Sequence, residues 1–205
     1  SKAEGRVVRL ADVRPSPLAK SLAADREDGD PHHIQVILDE SEEIVRADRG
    51  VLISRTRHGF VCANAGVDAS NAGGATRLVL LPLDPDASAR RLRAALRERT
   101  GRAPAVVVTD SFGRAWRRGQ TETAIGVAGL ALVDDWVGRV DADGRELHAT
   151  AIAIADEAAA AADLVRAKDS REPAVVVRGL ERHITEDDGP GVAPLIRDWA
   201  QDLFK

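Results

Sequence analysis

The chain has 205 residues, 44% hydrophobic and 30% charged. That composition suits one sizeable core or two small ones and excludes a disordered tail or a collagen-like repeat. Twenty-nine basic against 33 acidic side chains leave a net charge of −4, which argues against a nucleic-acid partner. No apolar run approaches the roughly 20 residues of a membrane helix, so no membrane partner is expected. A lone Cys62 without a signal peptide points to a reducing cytoplasm and reads as a small buried hydrophobe. There is no methionine and the first residue is Ser1, so we expect a segment upstream of this sequence.

In chain order, residues 7–10 predict an edge strand, interrupted by Pro15 and Pro17. Asp30-Pro31 is a helix-start pair, and Ile34, Leu38, Ser41 and Val45 extend the helical spacing, predicting a helix over 31–47 with Asp39, Glu40, Glu42 and Glu43 as its solvated face. Residues 51–54 and 60–63 predict a hairpin around His58-Gly59, and 64–74 a glycine-rich loop. Residues 77–81 predict a strand. Residues 86–99 predict a helix capped by Asp86 and stopped by Gly101, with Leu92, Ala95 and Leu96 inward. A buried strand over 105–109 leads into a polar loop, 110–123, and then a strand over 124–133. A turn at 141–144 leads into 145–149, followed by a helix over 150–168, a strand over 174–177 and a closing helix over 194–204. No linker or repeat divides the chain, and the irregular mixture of elements predicts an α+β fold with mixed or antiparallel sheets and packed helices.

The common phosphate-loop, zinc-protease and nucleophile-elbow signatures are absent, so any anion site is built otherwise. Two apolar runs end in an aspartate beside small or hydroxyl residues: Asp68, followed by Ser70 and Asn71, and Asp110, followed by Ser111. If the fold brings the two loops together, these oxygens suit a hard divalent cation completed by substrate phosphates; otherwise each aspartate simply caps a turn. Arg114, Arg117 and Arg118 surround Trp116 in a segment with few core-forming residues. Three guanidiniums there call for phosphate or carboxylate, and Trp116 either stacks on a flat ring or packs into the core. Arg55, Arg57 and His58 form a second cluster, in which His58 is an acid–base group or polar surface.

Three blocks carry a resemblance: Arg57-His-Gly-Phe-Val-Cys-Ala-Asn-Ala-Gly-Val-Asp-Ala-Ser-Asn71, Thr109-Asp-Ser-Phe-Gly-Arg-Ala-Trp-Arg-Arg-Gly-Gln-Thr121, and Ile154-Ala-Asp-Glu157 with its alanine helix. With Val177-Arg178-Gly179 and Asp202-Leu203-Phe204, they make the chain resemble the coenzyme F420 gamma-glutamyl ligase family in order and over its whole length. The resemblance implies a single ligase domain over residues 1–205, lacking the family's first segment, and an intertwined homodimer. The implied reaction is GTP-dependent addition of L-glutamate, then further gamma-linked glutamate, to the coenzyme F420 precursor through an acyl phosphate. Two divalent sites for Mg2+ or Mn2+, and K+ as a further cofactor, come with it.

Carried over position by position, Asp68 and Asp110 match ligands of one divalent cation, Ser111 a contact to a second, and Lys2 and Asn71 nucleotide contacts. Residues 166–173 match a nucleotide-binding segment. Where relatives place Glu or Gln at the second metal, this sequence has Lys168, which cannot ligate while protonated; either the alignment slips onto Asp169 or the second metal is held differently. Asp110, Arg114, Arg117 and Arg118 are the candidate catalytic residues. The alternatives are a catalytically silent module that binds the deazaflavin and dimerises, and a metal-dependent phosphohydrolase.

Overall fold

Three helices begin alike, with a short polar side chain followed by proline, because proline at the first helical position needs no amide proton and the preceding oxygen caps a free one. In the computed structural model, which describes residues 1–27 and 29–201, these are α1 (Pro17–Ala24), α2 (Pro31–Glu40) and α3 (Pro85–Thr100). Ser16 Oγ accepts from Ala19 N at 3.2 Å, Asp30 Oδ1 from His32 N at 2.8 Å, and Asp84 Oδ1 from Ala87 N at 2.8 Å. The cap of α3 is therefore Asp84. Asp86, expected in that role, instead accepts from the backbone N–H of Val127 at 2.8 Å and of Val192 at 2.9 Å. Gly101 closes α3 at φ 69°, as expected. The protein is α+β, with two compact units, each described in turn.

The first unit comprises residues 1–83, the tip at 112–119 and the segment from 198. Strand β1 (Arg6–Arg9) pairs antiparallel with β5 (Arg77–Leu80), setting Arg6 opposite Leu80. Strands β2 (Ser41–Asp48), β3 (Val51–Thr56) and β4 (Val61–Ala63) form an antiparallel sheet in that order. The expected helix over 31–47 thus stops at Glu40. Ser41 Oγ donates to Ile37 O at 2.6 Å at the helix end, and the following residues gain a ladder with β3 across the Arg49-Gly50 turn. Long-range pairing overrides the local spacing. Glu42 and Glu43 meet Arg55 across the strands, and Glu40, expected in solvent, is buried between Arg6 and Arg57. Ala19 and Ala23 of α1, Ile34 and Ile37 of α2, Leu52, Leu78 and Leu80 form the core of this unit.

The second unit comprises residues 84–111 and 120–197. Strands β6 (Val106–Arg114) and β7 (Arg117–Ala128) pair, joined by Ala115 and Trp116. The segment expected as a polar loop is therefore the two arms of a hairpin: both strands are solvated near the turn, so their sequence loses the apolar alternation that announces a strand. Chain pairing ends at Ala128 and not at 133, because Gly129 (φ 75°) turns away to exchange backbone hydrogen bonds with Thr185 and Asp188. Strands β8 (Asp134–Asp135) and β9 (Ala151–Ile152) form a short pair, which removes 151–152 from the expected helix and leaves α4 as Ile154–Asp163.

Residues 145–149 contribute one bridge, Glu146 to Val140, in place of a strand, and 174–177 join no ladder. The closing helix is replaced by short 3-10 turns at Ala193–Leu195 and Trp199–Gln201, its remaining residues 202–204 lying outside the described ones. Among the described residues no helix is long and apolar enough to cross a membrane.

Helix α3 turns inward a face of Pro85, Ser88, Ala89 and Arg93, while Leu92, Ala95 and Leu96 point outward, reversing the expected orientation. The inversion follows from Arg93, which is 5% exposed. Its Nη1 donates to Asp187 O at 2.8 Å and Asp188 Oδ1 at 2.7 Å, its Nη2 to Thr185 O at 2.7 Å, and its Nε to Pro104 O at 3.3 Å. A Cβ on Gly129 would stand 2.4 Å from the guanidinium carbon, so that glycine makes room for it. Replacing Arg93 by Ala removes these hydrogen bonds and leaves the space of a nearly buried side chain unfilled, and a loss of about 3 kcal/mol of stability is expected. A thermal melt of Arg93→Ala checks it; an unchanged midpoint would mean that solvent satisfies the acceptors.

Candidate active site

Asp68 is placed by backbone pairing. Its N–H donates to Val79 O at 2.9 Å and its carbonyl accepts from Val79 N at 2.8 Å, so the turn after β4 is tied to β5. The turn itself passes through three left-handed residues, Asn64, Ala65 and Gly66, and a Cβ on Gly66 would come within 2.8 Å of Leu81. Val79 also stands opposite Val7 of β1, so one strand sets both the aspartate and the chain leading to Lys2.

The result is an ion pair, Lys2 Nζ to Asp68 Oδ2 at 2.6 Å, with the same ammonium donating to Ser70 O at 2.8 Å and Ser70 Oγ at 2.9 Å. Ser70 N donates to Asp68 Oδ1 at 2.6 Å, so the capping role of Asp68 is real and coexists with the ion pair. Burial acts to raise the Asp68 carboxyl, and the Lys2 and Ser70 hydrogen bonds outweigh it, holding the group below the ordinary carboxylate range. Asn71 follows, exposed and left-handed at φ 53°. His33 of α2 lies within electrostatic reach of this carboxylate. Burial and Arg26 favour its neutral form against the pull of Asp30 and Asp68, and its Nε2 is buried without a hydrogen-bond partner among the described residues.

Ser111 belongs to a second cluster, within the second unit. Ser111 Oγ donates to Glu122 Oε1 at 2.6 Å and accepts from Lys168 Nζ at 2.9 Å, and Arg166 Nη2 lies 3.4 Å from Glu122 Oε2 and 3.3 Å from Asp163. Burial acts to raise the Glu122 carboxyl; hydrogen bonds from Ser111 and Thr109, then the charges of Arg166 and Lys168, bring it below its ordinary value. Glu122 was not among the residues expected at a site. Its signal was the hydroxyl-flanked Thr121-Glu-Thr123 run, legible only once 110–123 is taken as a hairpin that turns Glu122 back toward Ser111.

Asp110 stands beside Ser111 on β6, partly buried, and Asp169 is exposed next to Lys168. Asp68 belongs to the first unit and Asp110 to the second. The arginines gather at the hairpin tip: Arg114 Nη2 donates to Arg118 O at 3.0 Å, Arg117 and Arg118 are exposed, and Trp116 sits on the turn at φ 62° and 88% exposed. Trp116 is thus not in the core. His58 donates from Nε2 to Leu83 O at 3.1 Å and stacks on Phe60, which meets Phe112. Among the described residues no three His, Cys, Asp or Glu side chains converge as a ready-made metal cage.

The depressed carboxyls fix the sign of an acid dependence. Their contribution to stability is complete above the ordinary Asp and Glu values of about 3.9 and 4.3 and is lost as pH falls through the lower folded values. In Lys2→Ala the Asp68 carboxyl should titrate at higher pH than in wild type, as carbon-detected NMR would show. An unmoved titration would mean that Ser70 alone holds it.

The pairing of Lys2 with the turn aspartate Asp68 and the buried Glu122 behind the Ser111 hydroxyl give the chain charged, oxygen-rich clusters. The family model described as F420-0:Gamma-glutamyl ligase matches residues 1–179. Coenzyme F420:L-glutamate ligase of Methanothermobacter thermautotrophicus is 46% identical over 208 residues, covering 100% of this chain and 81% of that protein. The proteins of that name from Methanopyrus kandleri and Haloarcula marismortui are 44% and 43% identical, again over 100% of this chain and over 81% and 80% of theirs. The chain belongs to the F420-0:gamma-glutamyl ligase family.

Proposed function

We propose that this protein joins L-glutamate to the coenzyme F420 precursor, and then adds gamma-linked glutamate, with GTP as the phosphoryl donor. The observation that carries this reading is the match to ligases of that name along the entire chain, including the segments that hold Lys2, Asp68, Asp110 and Ser111. In this reading the enzyme is cytoplasmic and homodimeric.

A carboxylate and an amine do not condense usefully in water, so the carboxylate is activated first. An oxygen of the precursor carboxylate attacks the γ-phosphorus of GTP, the bond from that phosphorus to the β-bridging oxygen breaks, and GDP leaves an acyl phosphate. The glutamate nitrogen then attacks the acyl carbon, inorganic phosphate departs, and the nitrogen sheds its proton to form the amide. Lys2 and Asn71 would bind the nucleotide, as would 166–173 with Lys168 and Asp169. Arg114, Arg117 and Arg118 would grip phosphate or the acidic tail of the substrate, and the exposed Trp116 offers a face to a flat ring.

Asp68 fits a divalent cation by donor chemistry, being an ionised, half-buried carboxylate, and Asp110 is the second carboxylate assigned to it. Bound there, Mg2+ or Mn2+ would neutralise charge on the phosphates, with K+ as an additional ion. Lys2 would exchange its contact with Asp68 for one with a phosphate when the nucleotide arrives.

GDP release measured with the deazaflavin precursor, with and without glutamate, tests the reading. Release should require both substrates; release without glutamate would indicate a phosphohydrolase, and none at all a silent module. Asp110→Asn should cut ligation by more than about 100-fold with an unchanged melting midpoint. Arg117→Ala combined with Arg118→Ala should raise KM for the acidic substrate or GTP while leaving the midpoint nearly unchanged, because exposed arginines contribute little to folding. A double variant that unfolds instead would make the tip structural.

A further inference from the structure

The family resemblance that underlies the proposed ligase reading implies a second divalent cation touching Ser111, and the residues around Ser111 do not fit one. A serine hydroxyl has one proton to give and two lone pairs to receive with. Here the proton goes to Glu122 at 2.6 Å and one lone pair receives the ammonium of Lys168 at 2.9 Å. The carboxylate behind it is equally committed: Glu122 is 5% exposed, is bonded by Ser111 and Thr109, and has Arg166 on its other oxygen at 3.4 Å. Arg166 is shared with Asp163, so the cluster of Glu122, Asp163, Arg166 and Lys168 is already charge-balanced.

A divalent ion bound to the Ser111 oxygen at the usual distance of about 2 Å would lie no more than about 5 Å from the Lys168 nitrogen. A double and a single positive charge at that separation repel by several times thermal energy even at the effective dielectric of a protein surface, and the neutral Ser111 hydroxyl, unlike the Asp68 carboxylate, brings no charge of its own to offset it.

We infer that in this chain the ammonium of Lys168 is the positive charge at Ser111, and that the protein binds one divalent cation fewer than its family resemblance implies. A tethered ammonium supplies one charge in a fixed place and needs no ion from solution. It donates hydrogen bonds to an anion where a metal would coordinate it. Its site therefore stays charged at metal concentrations that would leave a weak ion site unfilled.

The test counts bound Mn2+ by EPR, titrating the full chain with Mn2+ alone and with melting curves to establish folding. Ser111→Ala should bind as many ions as wild type. Lys168→Glu, at an exposed position, should bind one more, because it removes the ammonium and adds a carboxylate to the oxygens of Ser111 and Glu122. Should that variant fail to fold, Lys168→Gln, neutral and of similar length, takes its place with the same expectation. An ion lost in Ser111→Ala, or an unchanged count when Lys168 is replaced, overturns the inference. The ligase reading stands or falls separately on GDP release: a chain that releases none yet shows these counts keeps the lysine assignment and loses that reading.

Discussion

A carboxylate withdrawn from water must keep a cation or several hydrogen-bond donors beside it, and the cost of leaving it bare exceeds what any single packing contact returns. That requirement organises both units. In the first, buried Glu40 draws Arg6 of β1 and Arg57 of the β3–β4 turn to the end of α2, and Asp68 takes Lys2 and Ser70. In the second, Glu122 holds Ser111, Thr109 and Arg166, and a buried guanidinium reverses the case, Arg93 collecting the carbonyls of 185–187 and the Asp188 carboxylate. The pairings of Arg6 with Glu40, Lys2 with Asp68, Arg166 with Glu122 and Arg93 with Asp188 join segments distant in sequence, so these polar contacts tie the topology together as the aliphatic core fills it.

The same pairings place the candidate chemistry on firm supports. Asp68 lies in a turn, yet its backbone is bound to β5 on both sides of the peptide, and β5 also aligns the strand that Lys2 precedes. Ser111 and Glu122 sit on the arms of one hairpin, where strand backbone limits their movement. The arginines and Trp116 occupy the opposite situation, a solvated turn with few contacts. Ser111 and Glu122 are thus held by strand backbone, while the cationic tip is open to solvent.

The Asp30 cap before Pro31, the stop at Gly101, the hairpin at β3–β4 and the burial of Cys62 were legible in the sequence, whereas the Ser16 cap of α1 and the Asp84 cap of α3 were not read from it. The blocks around Asp68 and Asp110 stood out as apolar runs followed by oxygen donors, but β6 continues through Asp110 to Arg114 and β4 ends at Ala63, with Asp68 in the turn beyond it. The errors fell where partners lie far along the chain. Residues 41–48 carry helical spacing but become strand because β3 offers a ladder, and the polar ends of β6 and β7 look like loop because residues 113–120 around their turn are exposed.

Composition and local order by themselves determined an α+β chain with an aliphatic core, the start of α2 at Asp30-Pro31, and which aspartates and arginines were candidates for an anion site. Tertiary structure alone decided what those residues meet: that Asp86 binds the backbone of Val127 and Val192, that Arg93 turns α3 so that Leu92 and Leu96 face out, and that Glu122 and Lys168 converge on Ser111. The reason is the range of the forces. Caps and turns are satisfied within a few residues, whereas a buried charge takes whichever partner the folded chain brings within about 3 Å, and that partner stands tens of residues away.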